Sequence, residues 1–146
     1  MANKQLVELL NKEISNFNVL YTKLHNYHWY VKGPHFFELH KKLEELYNET
    51  SKNFDVLAER LLAMEEQPVA TMKEHLETAS VKEASGKEKT DKLVQTLIDD
   101  FKTVCEELKE GIKLAEKDDD HMTADMLGSM TNSYEKHSWM LRAYLE

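Results

Sequence analysis

A helical spacing of apolar residues, repeated in four long segments, is the feature that most constrains how this chain folds. In each segment apolar side chains recur every three or four residues, as on the buried face of an α-helix. This predicts helices from about Leu6 to the Gly33–Pro34 pair and over residues 36–64, 91–116 and 121–144, with Thr90 capping the third. Only 4 glycines and 2 prolines interrupt the 146 residues, too few for the many turns of a β-protein. An all-α protein is therefore predicted.

The connection between the second and third long helices has about 25 residues, more than most links in a compact domain. Thr71 and Glu74 match a capping box, which predicts a short helix over residues 71–79, followed by a polar loop over residues 80–89. Because the other links are short, the long helices are expected to form a four-helix bundle with one long crossover. We find no internal repeat, and residues 1–146 are expected to form one domain.

The charge of the chain excludes several classes of function. It carries 27 acidic and 19 basic side chains, a net charge of −8, which repels DNA phosphates and anionic lipids and attracts cations.

A single cysteine, Cys105, allows no internal disulfide and suits a reducing compartment. No apolar run approaches the roughly 20 residues of a membrane helix, and the N-terminus lacks the apolar core of a signal peptide. We expect a cytoplasmic protein.

Two pairs of possible metal ligands lie on the second helix, His40 with Glu44 and Asp55 with Glu59. At about 100° per residue, the three carboxylates lie roughly 40°, 60° and 100° round the helix from His40, so all four project from one side. Along the axis, however, His40 and Asp55 are about 22 Å apart. Ligands of one metal ion must lie within about 2–2.5 Å of it. One copy of this helix cannot bring both pairs to the same ion.

Two antiparallel copies of the second helix would remove this obstacle. About a two-fold axis, the His40/Glu44 end of one copy meets the Asp55/Glu59 end of the other, and symmetry produces two identical sites. His28, at the end of the first helix's apolar stripe, could join from within its own subunit. Mixed imidazole and carboxylate ligands suit iron. The competing interpretation is a bundle without metal, since each of these residues taken alone is commonly an ordinary core or surface residue, and acidic residues beside Arg60 also support helices.

Four segments carry a resemblance to a known family. They are His28-Trp29-Tyr30, the run GPHFFELH from Gly33 to His40, Asp55-x-x-Ala58-Glu59-Arg60, and EKHSWM from Glu135 to Met140. Together they resemble the Dps family, or mini-ferritins, of the Gram-positive type, and the resemblance spans essentially the whole chain. It implies a ferritin-like four-helix bundle with a short extra helix in the long crossover between helices 2 and 3.

The resemblance also implies an activity and an assembly. The activity is that of a ferroxidase, which oxidises Fe(II), preferentially with hydrogen peroxide, stores the Fe(III) and so protects DNA and the cell from oxidative damage. The assembly is a hollow dodecamer of two-fold dimers with a two-iron site at each dimer interface. The implied iron ligands are His28, His40 and Glu44 of one subunit with Asp55 and Glu59 of its partner. Glu44 stands where the family most often has Asp, and Glu65–Glu66 where it often has two glycines.

Two further features receive two interpretations each. Trp29 follows a candidate ligand directly and is either a trap for stray oxidising equivalents or a packing residue. Glu116, Asp120 and Asp125 match the region that lines a three-fold iron-entry pore in the family, although His121 replaces one pore carboxylate. The alternative is that acidic residues near the start of the fourth long helix stabilise it through the helix dipole.

A DNA-binding protein that compacts the nucleoid is the alternative function, from a different class. DNA-binding members of the family usually carry a mobile tail rich in Lys and Arg, because neutralising phosphates supplies the affinity. Here one lysine, Lys4, precedes the first helix, and the net charge is −8. We therefore expect no direct binding to DNA.

Overall fold

The computed structural model describes residues 3–146, which form five α-helices and no strand. The helices are α1 (Lys4–Tyr30), α2 (Phe36–Ala63), α3 (Met72–Thr78), α4 (Thr90–Lys117) and α5 (His121–Leu145). The predicted four long helices and the short helix in the crossover are confirmed. Within the described range, no helix is both long enough and apolar enough to cross a membrane.

An aromatic cluster joins the long helices in the middle of the bundle. Tyr134 of α5 is fully buried and packs against Phe17 of α1 and Phe101 of α4, with ring centroids 5.7 and 5.0 Å away. Its hydroxyl lies 2.9 Å from the hydroxyl of Thr50 and accepts a hydrogen bond of 3.1 Å from Asn53, both on α2. The buried phenol thus fills the core while its polar end is satisfied by a second helix.

The boundaries of α1 and α4 follow local signals, with one exception. Asn3 caps α1, since its side chain accepts a hydrogen bond of 2.8 Å from the backbone N–H of Gln5. The same helix ends at Tyr30, three residues before Gly33. Gly33 has a φ of +115°, a backbone conformation that glycine adopts readily and that strains other residues. The predicted cap at Thr90 is wrong: Thr90 is the first helical residue, and its hydroxyl donates to the carbonyl of Lys32 at 2.7 Å. This hydrogen bond links the α1–α2 connection to the first residue of α4, 58 positions away, and no local pattern in the sequence predicts it.

The crossover is attached to α1 along its length. Thr71 and Glu74 form the predicted capping box, with the Glu74 N–H donating to the Thr71 hydroxyl at 3.2 Å and that hydroxyl donating to the Glu74 carboxylate at 2.9 Å. The buried His75 of α3 lies 3.1 Å from the hydroxyl of Ser15. Further along, the Asn16 side chain accepts hydrogen bonds of 2.8 and 3.0 Å from the N–H groups of Ser80 and Val81. These contacts hold the long crossover against the bundle.

At the exit of α2, a glutamate adopts a conformation that favours glycine. Glu65 has a φ of +62°, its N–H donates to the carbonyl of Leu62 at 3.0 Å, and the N–H of Glu66 donates to the carbonyl of Leu61 at 2.9 Å. This pair of hydrogen bonds is the Schellman motif, which ends many helices and usually has glycine at its left-handed position. The two glutamates therefore keep the sharp exit at a cost in backbone strain.

Replacing Glu65 by glycine is expected to stabilise the protein. Glycine enters the left-handed region without the clash of a Cβ, so the free energy of unfolding of Glu65→Gly should rise by roughly 0.5–1 kcal/mol. Glu66→Gly is the matched control, because Glu66 lacks a positive φ and glycine should only add freedom to the unfolded chain. Thermal unfolding of both variants measures the difference in stability from wild type. A Glu65→Gly variant no more stable than wild type would contradict the claim that the Glu65 backbone is strained.

Candidate metal centre

Two histidines from different helices lock each other in place. His28 lies near the end of α1 and His40 in the second turn of α2, and the short connection between these helices brings them together. The Nδ1 of His28 donates to the backbone carbonyl of His40 at 2.6 Å, and the Nδ1 of His40 donates to the carbonyl of His28 at 2.8 Å. The two imidazole rings stack with centroids 3.7 Å apart and planes 13° apart. His28 is buried and His40 is half-buried.

These two hydrogen bonds determine which nitrogen of each ring is free. A carbonyl oxygen can only accept, so Nδ1 must carry the proton in both imidazoles. In the neutral ring the lone pair then lies on Nε2, the atom available to a metal ion. Metal-binding histidines commonly donate their other ring N–H to a carbonyl in this way, which holds the ring orientation before any metal arrives.

Three exposed carboxylates share a side of α2 with His40. In the described part of the chain, Glu44, Asp55 and Glu59 have no hydrogen bond or ion pair that would explain their positions. Arg60, beside Glu59, instead pairs with Asp120 across to the start of α5 at 3.0 Å. Local ion pairing with Arg60 therefore does not account for Asp55 or Glu59.

One subunit does not assemble a complete metal site. Nowhere in residues 3–146 do three or more His, Cys, Asp or Glu side chains come close enough together to hold an ion. The fold brings together His28 and His40, and it leaves Asp55 and Glu59 toward the other end of the same helix. A single subunit therefore presents a histidine pair near the start of α2 and two unpaired carboxylates, Asp55 and Glu59, toward the end of α2.

In the acidic connection between α4 and α5, the contacts of Asp120 are structural. Its carboxylate accepts from the Thr123 N–H at 3.1 Å and from the Thr123 hydroxyl at 2.6 Å, as the N-cap of α5, and it pairs with Arg60. Burial raises the pKa of Asp120, but these hydrogen bonds and the charge of Arg60 outweigh it and hold the pKa below its usual range. By contrast, Glu116 and Asp125 are exposed.

Sequence reasoning missed Tyr47, an aromatic residue beside the histidine pair. Tyr47 lies seven residues after His40, which places both on the same face of α2, and its ring contacts His28. His25, one turn before His28, stacks on Tyr47 with centroids 3.7 Å apart and is half-buried. Trp29 is 65% exposed and lies 5.2 Å from the His25 ring. The seven-residue spacing was the available signal for Tyr47.

Comparison with known proteins places the chain in a family. The family model described as ferritin-like domain matches residues 7–146. Among curated relatives, General stress protein 20U of Bacillus subtilis is 57% identical, and the alignment covers 98% of this chain and 99% of that protein. DNA protection during starvation protein 2 of Bacillus anthracis is 50% identical over 98% of each chain. The chain belongs to the Dps group of the ferritin-like family. The resemblance to Gram-positive Dps proteins is thereby confirmed.

Solved structures of Dps proteins have the same fold. Dps from Staphylococcus aureus superposes with a TM-score of 0.96 at 46% identity, covering 100% of this chain and 99% of that one. A Dps protein from Bacillus brevis also gives a TM-score of 0.96, at 48% identity and 100% coverage of both chains. The predicted ferritin-like four-helix bundle with a short helix in its crossover is confirmed as the Dps fold.

Proposed function

We propose that this Dps chain is a subunit of an iron-oxidising storage protein, a ferroxidase whose sites are each shared by two subunits. The observation that carries the proposal is the locked histidine pair, with both Nε2 atoms free, on the same helix face as three unpaired carboxylates. A plain structural bundle gives no reason for two histidines of different helices to be held side by side with both Nε2 atoms free of protein partners among the described residues. The membership in the ferritin-like family supports iron as the metal.

The stacking of the histidines favours two ions over one. A metal ion bound to Nε2 lies close to the plane of its imidazole, about 2 Å from the nitrogen. The His28 and His40 planes are nearly parallel, at 13°, with centroids 3.7 Å apart, so no point at that distance lies in both planes. Each histidine therefore serves its own ion. The ring spacing is similar to the separation of about 3.5–4 Å between the metals of two-metal sites.

The remaining ligands are assigned to the partner subunit. About 22 Å of helix separates His40 from Asp55, so the Asp55 and Glu59 that complete a site belong to a second copy running antiparallel. Glu44, one turn from His40, adds a carboxylate from the first copy, and its extra methylene relative to Asp lengthens the reach. The two-fold dimers are proposed to build a hollow dodecamer, as the relation to Dps proteins suggests. We propose that the protein works in the cytoplasm.

The reaction uses both oxidising equivalents of a peroxide at one paired site. Two Fe(II) ions give up one electron each, one hydrogen peroxide accepts both, its O–O bond breaks, and with two protons it leaves as two water molecules. A pair of iron ions thus avoids the one-electron reduction that would release hydroxyl radical. The name DNA protection during starvation protein, borne by relatives from Bacillus anthracis and Brevibacillus brevis, fits such a protective role. With a net charge of −8, we propose that protection does not require binding to DNA.

Other residues are given supporting roles. Exposed Glu116 and Asp125 are proposed to attract Fe(II) at the pore, where like charges raise the local cation concentration. Asp120 shapes this connection as a helix cap and contributes its charge, although its oxygens are engaged by Thr123 and Arg60. Trp29, exposed beside His28, is proposed to supply an electron to a stray oxidant before it escapes.

The test is anaerobic addition of Fe(II) followed by hydrogen peroxide, with Fe(III) formation read by absorbance. Mutating residues that merely orient a metal ligand typically lowers metal affinity or activity by about 10–100-fold. Removing both histidine ligands in His28→Ala/His40→Ala should therefore lower the initial rate of Fe(III) formation by more than about 100-fold. His35→Ala is the matched control, since His35 is exposed in the same region and outside the proposed site. A metal-free bundle would show equal, slow oxidation with wild type and both variants.

A further inference from the structure

Two aromatic side chains flank the histidine pair. Phe36 stacks on His40 with ring centroids 4.9 Å apart and planes 20° apart. Tyr47 meets His28 in a T-shaped contact, with centroids 5.3 Å apart and planes 87° apart. The four rings thus form a series in the order Phe36, His40, His28, Tyr47, in which each contacts the next. The imidazoles occupy its middle.

Tyr47 is itself held firmly, by side chains of the other helix. The His25 ring stacks on it at 3.7 Å and 23°, and Tyr21 meets it at 6.0 Å and 82°. The Nδ1 of His25 in turn donates to the backbone carbonyl of Tyr21 at 3.0 Å, and this hydrogen bond restrains the orientation of the His25 ring. Tyr47 of α2 therefore packs against three side chains of α1, those of Tyr21, His25 and His28.

We propose that Tyr47 is a positioning residue that keeps the His28 imidazole aimed at its ion, a role that rests on the proposed function. The hydrogen bond to the carbonyl of His40 permits rotation of the ring about that bond, and stacking on His40 restrains one face. A second contact at nearly a right angle, from Tyr47, restrains the ring from another side. Because a metal–imidazole bond is directed in the ring plane, a tilted ring binds the ion less tightly.

The ring of Tyr47, and not its hydroxyl, carries this role. Among residues 3–146 the Tyr47 hydroxyl has no hydrogen-bonding partner, whereas the ring makes three aromatic contacts. Tyr47→Phe should therefore leave the site intact, and Tyr47→Leu should loosen it. Tyr144→Leu is a matched control, because Tyr144 is also half-buried and meets a histidine outside the proposed site, His35, at 5.8 Å and 86°.

Cobalt(II) titration of the assembled protein tests the role without iron oxidation. The visible absorption of bound Co(II) reports both affinity and coordination geometry, and His28→Ala/His40→Ala supplies the background. We expect Tyr47→Leu to bind about 10–100-fold more weakly than wild type with an altered spectrum, and Tyr47→Phe and Tyr144→Leu to match wild type. Tyr21→Leu removes a ring that packs on Tyr47 without touching the His28 ring, so it should weaken binding in the same direction and decides the question if Tyr47→Leu does not fold.

The outcomes separate this role from the function on which it rests. If wild type binds Co(II) no better than the double histidine variant, the metal site itself is wrong. If wild type binds well but Tyr47→Leu and Tyr21→Leu bind equally well, the site stands and the positioning role is overturned. Weak binding by Tyr47→Phe would also overturn it, since the ring is then not what matters.

Discussion

Co-assembly of two inactive variants is expected to restore iron oxidation. In the proposed shared site, neither His40→Ala nor Asp55→Ala alone would leave a complete set of ligands in a dimer of identical chains. In a mixed dimer, one site combines both defects, while the other combines intact histidines from the Asp55→Ala chain with intact carboxylates from the His40→Ala chain. If the two chains pair at random, about a quarter of all sites should be intact, and the initial rate should recover to about a quarter of wild type.

The measurement compares co-expressed chains with a mixture of separately assembled variants. Native mass spectrometry gives the composition of each assembly, and peroxide-driven Fe(III) formation gives the rate. The separately assembled mixture should stay inactive, because its subunits have not exchanged. A site contained within one subunit could not recover by mixing, so co-expressed chains without activity would refute the shared site.

Removing the carboxylate of Asp100 is expected to destabilise the fold strongly. The Lys23 side chain is only 3% exposed, and its ammonium lies 2.7 Å from the Asp100 carboxylate and donates to the carbonyl of Lys82 at 2.7 Å. Burial raises the pKa of Asp100, and Lys23 opposes this effect. Asp100→Ala leaves a buried ammonium without its counter-ion, which typically costs about 3–5 kcal/mol in the free energy of unfolding.

Two controls distinguish an unpaired charge from simple loss of contacts. Asp99→Ala alters the exposed neighbour and should change stability by no more than about 0.5 kcal/mol. Lys23→Met/Asp100→Leu removes both charges, so it should lose less stability than Asp100→Ala alone. Denaturant unfolding measures all three. If Asp99→Ala and Asp100→Ala lose equal stability, the buried ion pair between α1 and α4 does not make the proposed contribution to stability.

The helices could be predicted because their signals are local. Apolar spacing, the Thr71–Glu74 capping box and the Gly33–Pro34 pair act within one or two turns, so they placed five helices close to their observed bounds. The exit of α2 shows the limit of such signals. Glu65–Glu66 gave no indication of a sharp turn, and the Glu65 backbone enters the left-handed region because two hydrogen bonds close the helix end there.

The candidate site was only partly predictable. The residue types and their positions on α2 follow from the helical repeat, and the separation of His40 from Asp55 along that helix predicts the need for a second subunit. The reciprocal hydrogen bonds of the histidines could not be foreseen, because they join residues 12 positions apart on different helices. The engagement of Asp120 by Arg60, 60 positions away, likewise depends on how α2 and α5 pack.

By itself, the sequence determined which segments are helical and which chemically active side chains share a helix face, since both depend on the fixed rise and turn of the α-helix. Only the tertiary structure decided which ring nitrogens of His28 and His40 are free and which aromatic side chains hold them. Those properties arise where the end of α1 packs against the start of α2, and side-chain orientation there depends on contacts between residues of different helices.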